Sequence, residues 1–533
     1  MQAPNPTSLA VVPIFMSAGA AVLPTVIAAF TSVAAVVFKP RELARQFRTR
    51  PAMMSTITLS VLAVAGLIGW WAVTPAKAAT RITRPSKTDW AEVARTILAQ
   101  ERLHAVNTSA PATVVSTLPQ TGPAQTSAGA LAPDFSRTMF TGATAPLHLT
   151  QLWKYHPDQT MFLSDPALSS DGKRLYVAGC ISDLAGYVGI LACVNAETGK
   201  PIWEVAEMNG DVMKPFFSSP TLTADGKYLV IGQGLHQDKD CALMCFDTEN
   251  GKLKWSVKTP IHIESSPAVL GDLAVVGAGA IEGSDGKPTG DPGFVFAVRI
   301  SDGKKLWQYA LNDAESSPVI DADGTVYAGS GFNGNAVVAL RSETDDELKA
   351  KNLPRLKWSV PAEFPVTGAL TLAGDLVISG GGNSDMVHSA PNAKGQVMAI
   401  NRTTGKVAWS VTVGDSILGS MAAADGMVVC PCRTGEVIAL SLKDGGVLWR
   451  QRINGRVPVI AGTAAGAGRV YSVSDDGYLG ILDAKNGDLL EKIYLNEAGV
   501  AWSGFSMSTP LIANGRLIVG SETGGVRMYV GDK

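Results

Sequence analysis

From about residue 147 to the C-terminus, apolar residues come in short β-branched runs separated by turn residues. Each unit opens on a Ser-rich start, as in "FSSPTL" (217–222), "ESSPAV" (264–269), "ESSPVI" (315–320) and "MSTPLI" (507–512). A β-branched run closing on small residues follows, as in "TVYAGS" (325–330) and "RLIVGS" (516–521). A third apolar run, such as "VMAINRTTG" (397–405), ends in Asn, Thr and Gly residues suited to a tight turn into a tryptophan-bearing run. The pattern predicts four short strands per unit, since a helix pair would need stretches of 3.6-residue periodicity and there are none. Aligned on Trp153, Trp203, Trp255, Trp307, Trp358, Trp409 and Trp449, with Glu491 in the eighth place, the units recur at steps of 50, 52, 52, 51, 51, 40 and 42 residues. Such spacing belongs to propeller blades and solenoids.

The unit that opens this region is only a tryptophan strand, "LTQLWKYH" (149–156), and the chain ends on "GGVRMYV" (524–530) with no tryptophan strand after it. The first strand is therefore predicted to complete the last blade. That closes an all-β, eight-bladed propeller over residues 146–533 and removes its exposed radial edges. The tryptophans are expected to wedge between neighbouring blades, where a large apolar ring can still find a partner for its N–H.

Residues 1–145 follow another pattern. Residues 9–38 carry no charged side chain, and neither do residues 52–73, which end near Trp70 and Trp71. Two membrane-spanning helices are predicted, at about 14–38 and 52–73, within an N-terminal membrane region of residues 1–78. Lys39, Arg41, Arg45, Arg48 and Arg50 lie between them and predict a cytoplasmic loop, leaving everything after residue 75 outside the cytoplasm. The "AKA" before Ala79 also suits a cleaved signal segment; the long apolar stretch upstream favours a retained anchor. Residues 79–145 are expected to hold a short amphipathic helix (Trp90, Val93, Ile97, Leu98) and then a flexible linker rich in Ala, Thr, Ser, Pro and Gly.

Composition narrows function mainly by exclusion. With 45 Lys and Arg against 47 Asp and Glu, no global basic field exists to collect nucleic acid. There is no phosphate-loop, H-E-x-x-H or G-x-S-x-G motif, and no C-x-x-C-H for covalent haem.

The turn-and-tryptophan segments "CVNAETGKPIW" (193–203), "CFDTENGKLKW" (245–255) and "AINRTTGKVAW" (399–409) resemble the repeat of PQQ-type quinoprotein β-propellers. The resemblance covers roughly residues 147–533 and implies eight blades. That family divides into PQQ- and Ca²⁺-dependent dehydrogenases and cofactor-free binding propellers of the BamB-like type. The blades here average 388/8 = 48.5 residues over 146–533, leaving little for the long insertions with which dehydrogenases cover a cofactor. The expectation is therefore a membrane-anchored scaffold without cofactor, on the periplasmic side of a bacterial inner membrane, binding envelope proteins or a membrane complex. The alternative is a membrane-bound PQQ-dependent alcohol or sugar dehydrogenase. A third reading is a structural subunit of a larger membrane assembly. The chain shows no lipoprotein cysteine near its N-terminus, so a place in an outer-membrane assembly machine does not transfer from the resemblance alone.

Few residues suggest chemistry. Glu264 and Glu315 occupy the same place before Ser-Ser-Pro in consecutive units, and His262 lies two residues from Glu264. On an innermost strand these would line the central channel, as candidate catalytic groups or as a cation site. The stretched loops 282–293 and 381–395 carry Asp285 and Asp291, and Asn383 and Asp385, as candidate metal ligands. "DDELKAKNLPR" (345–355) reads as a charged, solvated loop. The six cysteines fall in small-residue slots and are expected to be packed thiols, with Cys180 and Cys193, flanking one hairpin, the best disulfide candidate.

Overall fold

The structure, a computed structural model, describes residues 145–532 apart from 158–159, 184–185, 209, 237 and 281–289. The expected spans, the short helix and the linker all lie outside the described residues. Among the described residues no helix is long and apolar enough to cross a membrane.

Eight four-stranded antiparallel sheets form the blades, at 167–205, 221–261, 268–310, 319–361, 371–413, 422–452, 464–494 and 511–532; the strand Leu147–Tyr155 completes the eighth. That strand pairs antiparallel with Val526–Asp532, Trp153 facing Met528 and Tyr155 facing Val526. Each blade runs from its short first strand outwards to its fourth, and first strands of successive blades adjoin. In such a meander the second-to-third and fourth-to-first connections share one face of the ring, and the third-to-fourth turns share the other. Both ends of the described chain lie on the turn face.

The apolar interior is not central. It consists of eight buried clusters, each made of side chains from two neighbouring blades. Val230 and Leu243 pack with Phe294 and Phe296, for example, and Trp153 and Val526 pack with Leu175 and Val194.

Every blade tryptophan sits on a fourth strand, and its indole N–H donates to a main-chain carbonyl of the next blade. The acceptors are Ala196, Thr248, Ile300, Ser342, Arg402, Leu442 and Ala484, at 2.7–3.1 Å. The glycine of the next blade's turn lies flat against the ring: a Cβ on Gly199, Gly251, Gly303, Gly405, Gly445 or Gly487 would fall 2.7–2.8 Å from the preceding blade's tryptophan. These glycines also hold φ between 69° and 79°, where side chains are disfavoured. The Gly-Lys and Trp of the repeat are thus two sides of one contact. Opposite the tryptophan, the third strand offers a small residue, Cys193, Cys245, Ala297, Ala339, Ala399 or Ala439, and a register shift follows at once.

The fourth blade replaces its tight turn. Residues Asp345–Lys351 form an α-helix, not the loop expected, because Thr344 and Glu347 build a reciprocal capping box and Asn352 closes the C-terminus at φ 53°. Leu348 is buried beneath it, and the Arg355 guanidinium, 4.5 Å from the Trp307 ring centre, takes the glycine's place.

Glu491 has a reason of its own. The blade that follows it is assembled from the first and the last three strands of the ring and has no third-to-fourth turn, hence no turn carbonyl for an indole. The entering strand instead presents free N–H groups, and the Glu491 carboxylate accepts from His148 N at 2.7 Å and Leu149 N at 3.1 Å.

All six cysteines are free and buried. This is the packed state expected from the sequence; the candidate Cys180–Cys193 bridge does not form because Cys180 faces Gly189 and Cys193 faces Tyr176 across the ladder. Burial pushes the thiols of Cys180, Cys241 and Cys245 up to about 12 and that of Cys193 to about 11. They pack as small apolar groups.

Gly251→Ala is expected to destabilise the ring by about 2 kcal/mol or more, from a strained φ and a collision with Trp203. Gly426→Ala, at φ 78° with open space around it, should cost only the backbone strain, about 1 kcal/mol. Denaturant unfolding of the two variants measures the difference. Glu491→Ala should cost about 1 kcal/mol, because water can reach the exposed His148 N–H while the part-buried Leu149 N–H loses its acceptor, read as a lowered Tm.

Candidate functional site

The channel is bounded by the links that enter each blade. Its walls carry one layer of mostly small polar residues: Asp165, Ser219, Ser266, Ser317, Ala369, Ser420, Gly462 and Thr509. These knit the blades together. Thr509 N donates to Asp165 Oδ1 (2.6 Å), Asp165 N to Ser219 Oγ (3.0 Å), Ser219 N to Ser266 Oγ (2.9 Å) and Ser266 N to Ser317 Oγ (2.9 Å). The recurrent Ser-Ser-Pro therefore serves twice, since the first serine of the third blade, Ser265, is tied to Gly277 of its own second strand at 2.7 and 2.9 Å.

Two residues earlier in each link lies a second layer: Leu163, Phe217, Glu264, Glu315, Thr367, Leu418, Ile460 and Met507. Five are apolar and one is Thr. The two glutamates are adjacent, as expected, but they lie in the links just before the innermost strands, which begin at Ala268 and Val319. The space these layers line is small, about 120 Å³, and open to solvent, with Met386 of the 381–395 loop among its lining residues.

The glutamates meet two histidines. His262 Nε2 lies 2.8 Å from Glu315 Oε1, and His236 Nδ1 lies 3.0 Å from the same oxygen. The two imidazole rings are 5.2 Å apart. One ligating atom from each of His236, His262, Glu264 and Glu315 can be chosen so that all four lie within 4.8 Å of one another. His262 is wholly buried and Glu264 nearly so, yet His262 Nδ1 and Glu264 Oε1 have no hydrogen-bond partner. Gly279 leaves the space in which the cluster sits, for a Cβ there would fall 2.3 Å from His262 Nε2 and 2.6 Å from Glu315 Oε1.

Burial opposes charge on both carboxyls, and their neighbours separate them. Glu264, desolvated and facing Glu315, is pushed up to about 7. Glu315 is equally desolvated, but hydrogen bonds from both histidines outweigh that and hold it down at about 2. Glu315 in turn raises His236 to about 9; burial works against His262, yet the same carboxylate raises it too. The cluster can hold a proton or a cation.

His236 was not among the residues singled out from the sequence. It sits in the second-to-third connection "GLHQDK" (234–239), which has no register within the repeat. Asp291 accepts from Gly293 N at 3.1 Å within its own loop, and Asp285 lies outside the described residues. Asn383 and Asp385 brace their own loop: Asn383 Oδ1 accepts from Lys394 N (2.8 Å), and Asp385 Oδ1 from Val387 N (2.7 Å) and His388 N (2.6 Å). Sequence reasoning also passed over a second buried group, in the sixth to eighth blades. There burial raises the Asp475 carboxyl well above its usual range, although Arg433 stands nearby.

Comparison with known proteins gives a consistent lineage. The profile of the family described as outer membrane protein assembly factor BamB matches residues 149–388 and 355–532. Outer membrane protein assembly factor BamB of Yersinia pestis is 25% identical over 310 residues, covering 54% of this chain and 69% of that protein. The crystal structure of BamB from Moraxella catarrhalis superposes with a TM-score of 0.50 at 17% identity, covering 72% of this chain and 98% of the other. Quinohemoprotein alcohol dehydrogenase from Comamonas testosteroni superposes with a TM-score of 0.53 at 14% identity, covering 76% and 81%. At such identities the structural likenesses speak for the fold alone.

Glu264 has a folded value near 7 against 4.5 unfolded, so its contribution to stability is complete below about 4.5 and is lost as pH rises through 7. With a chelator present, Glu264→Gln should melt close to wild type at pH 4.5 and above it at pH 8, the gap opening between pH 5 and 8. Thermal melts across that range check the sign.

Proposed function

Since the chain belongs to the family of outer membrane protein assembly factor BamB, we propose that it is a protein-binding scaffold of the cell envelope. In this reading residues 1–78 anchor it in a bacterial inner membrane and residues 79–145 are the linker. The ring at 146–533 then works on the periplasmic side, and its partners are envelope proteins or a membrane complex. Catalysis is not part of the proposal.

One observation carries the reading. The loop face, where the second-to-third and fourth-to-first connections lie, presents large apolar side chains on braced loops. Trp502 is 45% exposed and Val500 47%, both in the link entering the eighth blade. The buried Glu522 carboxylate holds that link by accepting from Ser503 N (2.6 Å), Gly504 N (3.1 Å) and Phe505 N (3.0 Å). Val212, at the Glu207–Met208/Asp211–Val212 hairpin, and Val387 are exposed on the same face. A tryptophan held in the open by a rigid backing loses little freedom on docking, which suits a protein contact.

The size and lining of the channel support the reading without PQQ. About 120 Å³ is well below the roughly 300–1,000 Å³ of small-molecule sites, and among the described residues no tryptophan lines it. Cys430 and Cys432, separated by Pro431, are free thiols and supply no disulfide.

Full-length protein extracted in detergent is expected to co-purify with envelope proteins. Trp502→Ala combined with Val500→Ala should lose them while the Tm stays within a degree or two of wild type. Retention of a quinone absorbance through gel filtration after adding PQQ and Ca²⁺, with dye reduction by an alcohol, would reject the scaffold.

A further inference from the structure

We propose that His236, His262, Glu264 and Glu315 form a site for one divalent transition-metal ion of the Zn²⁺ class, clamping the second, third and fourth blades together at the channel. The inference is independent of the scaffold reading, because it rests on the donor set alone.

Four observations converge. The ligating atoms come from three separate chain segments: the 234–239 connection, the link before Ala268 and the link before Val319. Their spacings run from 2.8 Å to no more than 4.8 Å. A tetrahedral ion with bonds of about 2.0–2.1 Å needs ligand atoms roughly 3.4 Å apart, inside that interval. The protein alone also leaves the group incomplete. Glu315 takes both imidazole contacts, while Glu264, more than nine-tenths buried and lining the channel beside it, meets only the His236 main chain and keeps Oε1 without a donor. A buried carboxylate oxygen left unpaired is costly, and a cation supplies what it lacks. Finally, Gly279 keeps clear the space against His262 Nε2 and Glu315 Oε1 that any side chain would fill.

The donor chemistry selects the ion. Two imidazole nitrogens and two carboxylates suit Zn²⁺ and its neighbours, whereas Ca²⁺ seeks six to eight oxygens and Mg²⁺ an octahedron of oxygen. Two ionised carboxylates, two neutral imidazoles and one divalent ion sum to zero charge, which suits a site whose His262 and Glu264 are buried while His236 faces outward. The Glu264 and Glu315 positions are the only charged members of an eight-residue layer otherwise built from Leu, Phe, Thr, Ile and Met. His236 and His262 account for two of the six histidines in the chain.

The test uses the full-length chain in detergent, stripped with a chelator and dialysed. Zn²⁺ titrated by calorimetry at pH 7.5 should bind at one ion per chain and raise the Tm. Co²⁺ should give the visible d–d absorbance of a four-coordinate site. Glu264→Gln, which keeps shape and removes charge, and His262→Gln should each weaken Zn²⁺ binding on the order of tenfold or more, since even outer-shell changes do so. Gly279→Ala keeps all four ligand residues, sets a methyl group against His262 Nε2 and Glu315 Oε1, and should block uptake. Each variant is compared with wild type in chelator, where a retained cooperative melt shows that it is folded. The proposal is overturned if folded wild type takes up no stoichiometric Zn²⁺, if Glu264→Gln and His262→Gln bind it as wild type does, or if Ca²⁺ raises the melting temperature and Zn²⁺ does not.

Discussion

The ladder between Leu147–Tyr155 and Val526–Asp532 is the constraint on which everything else depends. A propeller has no central core, and its apolar interior is divided among the seams between blades. A seam exists only if both neighbours are complete, so an unclosed ring would expose two seams and two radial edges together. Closure makes the eight seams equivalent, and the indole-to-carbonyl bond repeats at seven of them. The eighth, between the seventh blade and the blade completed by Leu147–Tyr155, replaces the indole with Glu491, which accepts from the entering strand's N–H groups.

Closure also sets the channel. Eight links converge on the axis at fixed angles, so one sequence position per blade occupies each layer. Placing two carboxylates side by side in an apolar layer concentrates charge where water is scarce, and histidines from a neighbouring link and a neighbouring loop answer it. The polar layer two residues further on carries no such tension, because its side chains are spent on the backbone of adjacent blades.

What the sequence made legible follows from repetition. The tryptophan, the turn glycine and the small residue opposite the tryptophan each satisfy one steric demand many times over, so the pattern stands out without a structure, and with it the blade count and the closing strand. Glu264 and Glu315 were visible for the opposite reason, as departures from the repeat at one fixed place. His236 was not, because its connection has no counterpart in other blades and only the folded ring brings it to Glu315. The helix at Asp345–Lys351 was misread for a local cause: acidic residues at its start and lysines at its end look like solvated charge, yet they are also what a capped helix asks for. Cys180 and Cys193 flank a hairpin in sequence but face other residues in register, a distinction that spacing alone does not carry.

The antiparallel closure has a mechanical side. Because Leu147 and Asp532 are paired, a pull that separates these two residues opens the ladder one bond at a time, like a zipper. A pull on the N-terminal strand resisted by something held on the loop face runs instead along the strand axis, loading the whole ladder at once together with the Glu491 contacts. The same seam is therefore weak in peeling and strong in shear, and a load carried between the entering chain and the loop face falls on its strong direction.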